Sequence, residues 1–334
     1  MKSLLLAAPF LIPAAALAVP VVDGTRDAEY GAPISVQQTQ TGFGDANPPG
    51  ALGGSELDAA YAKIVGGRLY LLLTGNHEPN FNKLEIFIDS KAGGENTLTG
   101  VPQYDSLSGS TWISQNMAGL TFDAPFAADY HLFSRWGSGS GTYNADFVNR
   151  QGGGAAMVPG SSGSSPNAVG LQAAGTILAG NVGTNASGSA LTQNLEFAIN
   201  DNNAAGVSGG SGAANVANAT AVTTGMEFSI ALADLGNPAP GSVILISAMI
   251  DNGDHNYLSN QILGPLLPPQ GNLGGDGGGG FTGTLSGVNF NQFPGIQHFA
   301  IVVPDSVPDP SCLVMFAATL PLLMGRRRRS IRCS

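Results

Sequence analysis

Short stretches of alternating apolar and polar residues, separated by glycine, run through most of this chain. Residues 57–65 and 68–74 are the clearest pair, and Gly66-Gly67 between them is typical of a tight hairpin turn. Residues 34–39 and 297–303 are shorter stretches of the same kind near the two ends of the pattern. We therefore predict a strand for each stretch.

Residues 83–89 alternate most regularly, with three aliphatic side chains on one face and Glu85 and Phe87 on the other. Residues 226–230 alternate in the same way, and their apolar side chains are predicted to point inward. Residues 242–250 form a continuous apolar run, which is typical of a central sandwich strand.

The middle of the chain, residues 137–225, is dominated by Gly, Ser, Ala and Asn. We predict long surface loops with a few strands among them, and the alternative is a disordered linker between two domains. Short strands, glycine-rich turns and few helical stretches predict an all-β fold. The expected architecture is one antiparallel β-sandwich, spanning residues 19–305, with long Gly/Ser/Asn-rich loops.

Residues 1–18 have the form of a secretory signal peptide, with Lys2 before an apolar helix-forming stretch. Ala16-Leu17-Ala18 is a small-x-small cleavage site, so cleavage is predicted between Ala18 and Val19. This predicts export of the remainder by the Sec route.

The C-terminal residues 306–334 contain a second apolar segment, residues 312–324, preceded by prolines and followed by arginines. Pro308 and Pro310 prevent the helix from starting earlier, and Ser311 can cap it. As a helix the segment is roughly 20 Å long, against the about 30 Å of a hydrocarbon core. We predict a transient insertion in the inner membrane, with the arginines on the cytoplasmic side.

This tail resembles the PEP-CTERM sorting signal of Gram-negative bacteria. The resemblance implies processing by an exosortase-type membrane enzyme and a final location at the cell surface or in the extracellular matrix. Asp309 stands where that family usually has Glu, so the negative charge is kept. The residues that carry the resemblance are Val307, Pro308, Asp309, Pro310, Ser311, Arg326, Arg327, Arg328 and Arg329.

Two separated parts of the domain resemble the family-nine-like carbohydrate-binding modules. The first is residues 22–25 with 67–71 and 84–89, and the second is residues 226–230 with Leu235-Gly236. The resemblance implies jelly-roll-like connectivity and a glycan, such as an extracellular polysaccharide, as ligand.

Charge and cysteine positions limit the possible partners. Only seven of the 13 Lys and Arg residues lie within residues 19–305, which carry nearly all of the 23 acidic residues. Binding phosphate backbones requires a basic face, so nucleic acid is excluded as a partner. Cys312 and Cys333 both lie in the tail, so the domain is expected to be free of disulfides.

Two acidic loops are candidates for a metal, because glycine-bearing loops rich in hard oxygen ligands suit Ca²⁺. They contain Asp89 with Glu95, and Asp251 with Asp254. The alternative is that these are solvated turn residues. His77, His131, His255 and His298 are scattered singly, and convergence of three of them on zinc is a further alternative.

Sugar binding would use aromatic rings that stack on pyranose faces, and the alternative for each ring is core packing. The candidates are Trp112, Tyr130, Trp136, Tyr143 and Tyr257. We assign no catalytic residue and expect a non-enzymatic exported protein that binds glycan. The alternatives are a secreted glycoside hydrolase using Glu85 and Glu227 as a carboxylate pair on neighbouring strands, and a purely structural matrix protein.

Overall fold

The structure is a computed structural model, and it describes residues 18–43, 54–105, 112–137, 143–151, 160–162, 167–174, 190–203 and 205–305. The predicted signal helix and the sorting tail lie outside these ranges, as do several parts of the Gly/Ser-rich middle. None of the helices in the described ranges is long and apolar enough to cross a bilayer.

Thirteen strands and one α-helix, α1 (Val216–Ala221), make up the regular structure of the described residues. The strands are β1 (Ser35–Val36), β2 (Glu56–Val65), β3 (Arg68–Asn76), β4 (Lys83–Asp89), β5 (Tyr130–Trp136), β6 (Tyr143–Asn149), β7 (Gly160–Ser162), β8 (Asn167–Gln172), β9 (Leu195–Asn200), β10 (Gly225–Ala231), β11 (Val243–Asp251), β12 (Leu258–Leu263) and β13 (Phe299–Val302). Short 3₁₀ turns lie at Ala28–Tyr30, Ser114–Met117, Leu232–Leu235 and Phe290–Gln292.

All neighbouring strands pair antiparallel, and they form two layers. The first layer has the order β1-β2-β3-β10-β9-β8. The second has the order β7-β6-β5-β4-β11-β12, with β13 also paired to β11. A single residue pair, Ser162 with Gly170, joins the layers at β7 and β8. The predicted antiparallel β-sandwich is confirmed.

The central core lies between the two layers and is built from the inward faces that the alternation predicted. Leu84, Ile86 and Ile88 of β4 are fully buried there, as are Met226 and Phe228 of β10. The predicted hairpin is present as well, and both of its turn glycines have positive φ, as a tight two-residue turn requires.

A second core covers the outer face of the second layer. Phe87, Phe133 and Met249 point away from the sandwich interior, yet they pack under irregular chain that carries Phe122 and Leu285. This cover also buries the polar side chains that share the outer face. It therefore turns a face that alternation alone assigns to solvent into an enclosed one.

Candidate functional site

The densest group of ionisable side chains among the described residues lies under this cover, with Glu85 at its centre. Strand alternation places Glu85 on the outer face of β4, opposite Phe133 of β5 and Met249 of β11. The cover leaves its side chain 1% exposed. A carboxylate in such surroundings requires hydrogen-bond donors or positive charge close by.

Two histidines supply the hydrogen-bond donors that the Glu85 carboxylate requires. His131 Nε2 lies 2.6 Å from one Glu85 oxygen, and His255 Nδ1 lies 2.5 Å from the other. His131 comes from β5, and its ring stacks on Phe87 at 4.2 Å. His255 comes from the turn after β11, where its backbone has the unusual φ of 54°. Both rings are fully buried.

A chain of donors fixes the tautomer of His131. Arg150 donates to the Tyr104 hydroxyl oxygen over 2.8 Å, so that hydroxyl is free to donate to His131 Nδ1 over 2.6 Å. His131 then carries its proton on Nε2 and donates it to Glu85. Burial lowers the pKa of His131 to about 4, which agrees with a neutral ring.

On the other side, His255 contacts a second carboxylate. Its Nε2 lies 3.0 Å from Asp105 Oδ2, which also accepts from Lys83 Nζ over 2.8 Å. Arg135 lies 3.8 Å from the other Asp105 oxygen and forms an ion pair with the buried Asp146. Asp105 also has a positive φ, 53°. His255 and Asp105, which contact each other, therefore both have positive φ angles, a backbone conformation in which functional residues are often found.

Asp251 completes the group. It is the last residue of β11 and lies opposite Lys83 in the register of β11 with β4. Its Oδ1 accepts the backbone N–H groups of Asn252 and Tyr257 over 2.7 and 3.1 Å. Its Oδ2 is buried and has no hydrogen-bond partner among the described residues. Glu85, Asp251 and His255 each place one potential ligand atom within 4.8 Å of the other two.

The pKa values of Glu85, His255 and Asp251 are shifted in different directions, lowered for Glu85 and raised for the other two. Burial by itself would raise the pKa of Glu85, but the charge of His255 and the hydrogen bonds from both histidines hold it well below its ordinary value. Burial would likewise lower the pKa of His255, yet Glu85 and Asp105 raise it. Burial raises the pKa of Asp251 to about 7, and the nearby Glu85 charge adds to this.

The cluster is closed to solvent, because Glu85, Asp251, His131 and His255 are each at most 1% exposed. A substrate cannot reach these groups in this conformation. The arrangement can hold protons or a small cation. It also joins the irregular segments that carry Asp105 and His255 to β4 of the second layer.

The structure does not bring the four predicted metal ligands together. Asp89 accepts the Ala127 N–H, Glu95 is engaged by Arg150 over 2.6 Å, and Asp254 is exposed. Only Asp251 joins a cluster, and its neighbours there come from other parts of the chain. The sequence analysis placed Asp251 in a loop after a strand ending at residue 250, whereas Asp251 is the last residue of β11 and faces the covered side of that strand.

Three of the five aromatic residues predicted to bind sugar lie in the central core instead. Tyr130, Trp136 and Tyr143 are 3%, 1% and 0% exposed, so none has a free ring face for a pyranose. They occupy strand positions that point between the layers. Trp112 and Tyr257 are half-buried, and the Tyr257 ring stacks on Phe43 with the ring centroids 6.1 Å apart.

The carboxylate pair of the hydrolase alternative is also separated. Glu85 lies on the outer face of the second layer, whereas Glu227 of β10 lies on the outer face of the first. The central core lies between them, so they cannot act on one glycosidic bond.

Sequence reasoning missed the convergence of His131 and His255 on Glu85, although it included both among the scattered histidines. His77 and His298 lie elsewhere, beside Tyr143 and Phe126. A usable signal was present on β4, because Glu85 shares its face with Phe87. Phe is among the residues most often fully buried, so Phe87 on this face indicates that the face is covered.

Comparisons of the chain with protein-family models, with curated proteins and with solved structures found no match. The functional assignment therefore depends on the residues and their geometry.

Proposed function

We propose that this chain is an exported, non-catalytic protein of the cell surface or extracellular matrix of a Gram-negative bacterium. In this proposal it leaves the cell by the Sec route, is held briefly in the inner membrane, and is processed at its PEP-CTERM-like tail by an exosortase-type enzyme. The observation that carries the proposal is the tail sequence: the Val307–Ser311 motif, the short apolar segment and the four arginines.

The positions of the proposed cuts support this assignment. β13 ends at Val302, before the motif begins at Val307. At the other end, cleavage after Ala18 precedes β1, and Val19 is exposed. Both cuts therefore spare every strand that the structure describes, and the sandwich can remain folded after processing.

Two features support a non-catalytic role. The hydrolase pair Glu85 and Glu227 lies on opposite outer faces, and the Glu85 cluster is shut off from solvent. Its ionisable groups are engaged with one another, which suits a structural task better than turnover of a substrate.

Glycan binding and jelly-roll-like connectivity are the finer parts of the proposal. The connections from β3 to β4 and from β10 to β11 both cross between the layers, while β3 pairs with β10 and β4 with β11. Paired crossovers of this kind are typical of Greek-key and jelly-roll sandwiches. Trp112 and Tyr257 are the predicted aromatic residues that retain surface for a sugar.

The test of export and processing is mass spectrometry of the mature protein recovered from its native host. We expect an N-terminus at Val19 and a C-terminus within or near Val307–Ser311. Replacing the four arginines 326–329 by Gln should block C-terminal processing, whereas Arg332→Gln should leave it unchanged. Recovery of the wild-type chain with its tail intact would contradict the proposal.

Glycan binding is tested by affinity electrophoresis in gels containing extracellular polysaccharide. Wild-type protein should be retarded, Trp112→Ala or Tyr257→Ala should reduce the retardation, and Leu267→Ala, at an exposed aliphatic residue, should not. Absence of retardation for the wild type across a range of polysaccharides would favour the purely structural alternative.

A further inference from the structure

We propose that Glu85, Asp251 and His255 form a binding site for one divalent transition-metal ion, with zinc as the first candidate. This inference does not depend on the export proposal, since it concerns only residues inside the folded sandwich.

The spacing of the donor atoms is the first support. One oxygen from each carboxylate and one ring nitrogen of His255 lie within 4.8 Å of one another. Zinc binds such atoms at about 2.0–2.2 Å, so ligands around one ion lie roughly 3–4 Å apart. His255 Nδ1 and Glu85 Oε1, now 2.5 Å apart, need to separate by about 0.5–1 Å as the ion replaces the proton between them.

The unpartnered oxygen of Asp251 is an independent support. Its carboxylate is fully buried, and its Oδ2 has no hydrogen-bond partner among the described residues. Leaving such an atom unpaired is costly in a folded protein, and an ion bound to this oxygen would remove that cost.

The surroundings are those of a histidine ligand held in place. When Nδ1 of His255 faces the ion, Nε2 donates to Asp105 over 3.0 Å, and Lys83 fixes Asp105 in turn. A carboxylate that orients a metal-bound imidazole in this way is the common outer partner of zinc histidines. His131 holds the second oxygen of Glu85.

The charge balance of the metal-bound cluster agrees with a divalent ion. Binding removes the Nδ1 proton of His255 and needs both carboxylate ligands ionised, and in that state four carboxylates face only two cations, because Arg150 is already paired with Glu95. A divalent ion balances this excess. The groups counted are Glu85, Asp105, Asp146 and Asp251 against Lys83 and Arg135.

The donor set favours a transition metal over calcium. Calcium takes six to eight oxygen ligands, whereas this site offers one nitrogen and a few oxygens in a closed space. Mixed imidazole and carboxylate ligation suits zinc and its neighbours.

The test uses the purified full chain, treated with EDTA and dialysed, with calorimetry and thermal unfolding as readouts. We expect one zinc per chain and a rise in Tm of about 5 °C or more at a hundredfold excess over Kd, and little effect of CaCl₂. Asp251→Asn should weaken zinc binding at least about tenfold, and Asp105→Asn by roughly 10–100-fold. Asp254→Asn, in the same turn but exposed, is the matched control and should bind as the wild type does.

Three results would overturn the proposal: no zinc binding and no change in Tm for the wild type, an unchanged affinity in both Asp251→Asn and Asp105→Asn, or equal stabilisation by calcium. If Asp251→Asn fails to fold, the zinc affinity of Asp105→Asn decides instead. This variant keeps all three proposed ligands and changes only the carboxylate that orients His255.

Discussion

Glu227 binds the N-terminal segment, residues 23–30, to the first layer. One of its oxygens accepts the backbone N–H groups of Asp23 and Gly24 over 3.0 and 2.9 Å, and the other accepts the Tyr30 hydroxyl over 2.6 Å. The side chain is fully buried, and burial raises its pKa to about 7 despite these donors.

This pKa predicts a pH effect on stability. Between its ordinary value of 4.5 and about 7, Glu227 is ionised in the unfolded chain but protonated in the folded one. Folding then takes up a proton, so the stabilising contribution of Glu227 is complete below pH 4.5 and falls as the pH rises to about 7. Relative to Glu227→Gln, the wild type should lose on the order of 2–3 kcal/mol across this window.

Urea unfolding of both proteins at several pH values measures this difference. Glu196→Gln, at a side chain that is 46% exposed on the neighbouring strand, is the control and should show no comparable trend. A wild-type to Glu227→Gln difference that stays constant from pH 4.5 to 7.5 would show that burial does not raise this pKa.

At the scale of elements, the N-terminal segment crosses the end of β9 at Gly24. Its φ is +78°, and a Cβ atom there would lie 2.5 Å from the Asn200 backbone nitrogen. Gly31, also with positive φ (+71°), has open space around the position of a Cβ atom. Substituting each glycine by alanine therefore distinguishes the cost of a positive φ, present at both positions, from the cost of a steric clash, present only at Gly24.

Gly31→Ala should cost about 1–3 kcal/mol of unfolding free energy, because its backbone (φ 71°, ψ −138°) is one that glycine adopts and other residues rarely do. Gly24→Ala should cost about 1–3 kcal/mol more than Gly31→Ala, since the clash with β9 adds to the cost of a positive φ. Thermal or urea unfolding of the two variants measures this. Equal losses would mean that the segment moves away from β9 without cost.

The elements that the sequence predicted well are those whose own residues specify them. β4 has the predicted bounds, and the hairpin between β2 and β3 turns at Gly66-Gly67. β12 was not predicted, because its centre is the polar run Ser259-Asn260-Gln261. These side chains are buried only because distant chain supplies partners, such as Gln40 and Gln270 carbonyls for Asn260.

The candidate site escaped prediction for the same reason. Alternation gave the correct face for Glu85, but the segments that cover this face carry no strand pattern. The contacts with His131 and His255 span 46 and 170 residues of sequence. Local patterns do not specify contacts at such separations.

At the largest scale, the described part of the chain from Val19 to Val303 is a sandwich whose outer faces are covered to different extents. The N-terminal segment packs Tyr30 onto the first layer, and irregular chain closes a larger core over the second. The second cover has its own backbone hydrogen bonds, including Leu98 N–H to the Leu120 carbonyl and Phe122 N–H to the Asn96 carbonyl, both 2.9 Å. We infer that it behaves as part of the folded core rather than as surface loop.

Hydrogen exchange measured by mass spectrometry tests this. Peptides containing Leu98 and Phe122 should exchange within about tenfold of the rate of β4 peptides, because their amides open only when the core over Phe87 opens. Helix α1 is the control: it is regular, but its residues are exposed apart from the buried Ala219 and the half-buried Thr220, so it should exchange much faster. If the cover exchanged as fast as α1 while β4 stayed protected, the cover would open separately from the sheet. Solvent would then reach Glu85 and His255 in the folded protein, and the cluster would be an accessible site rather than an enclosed one.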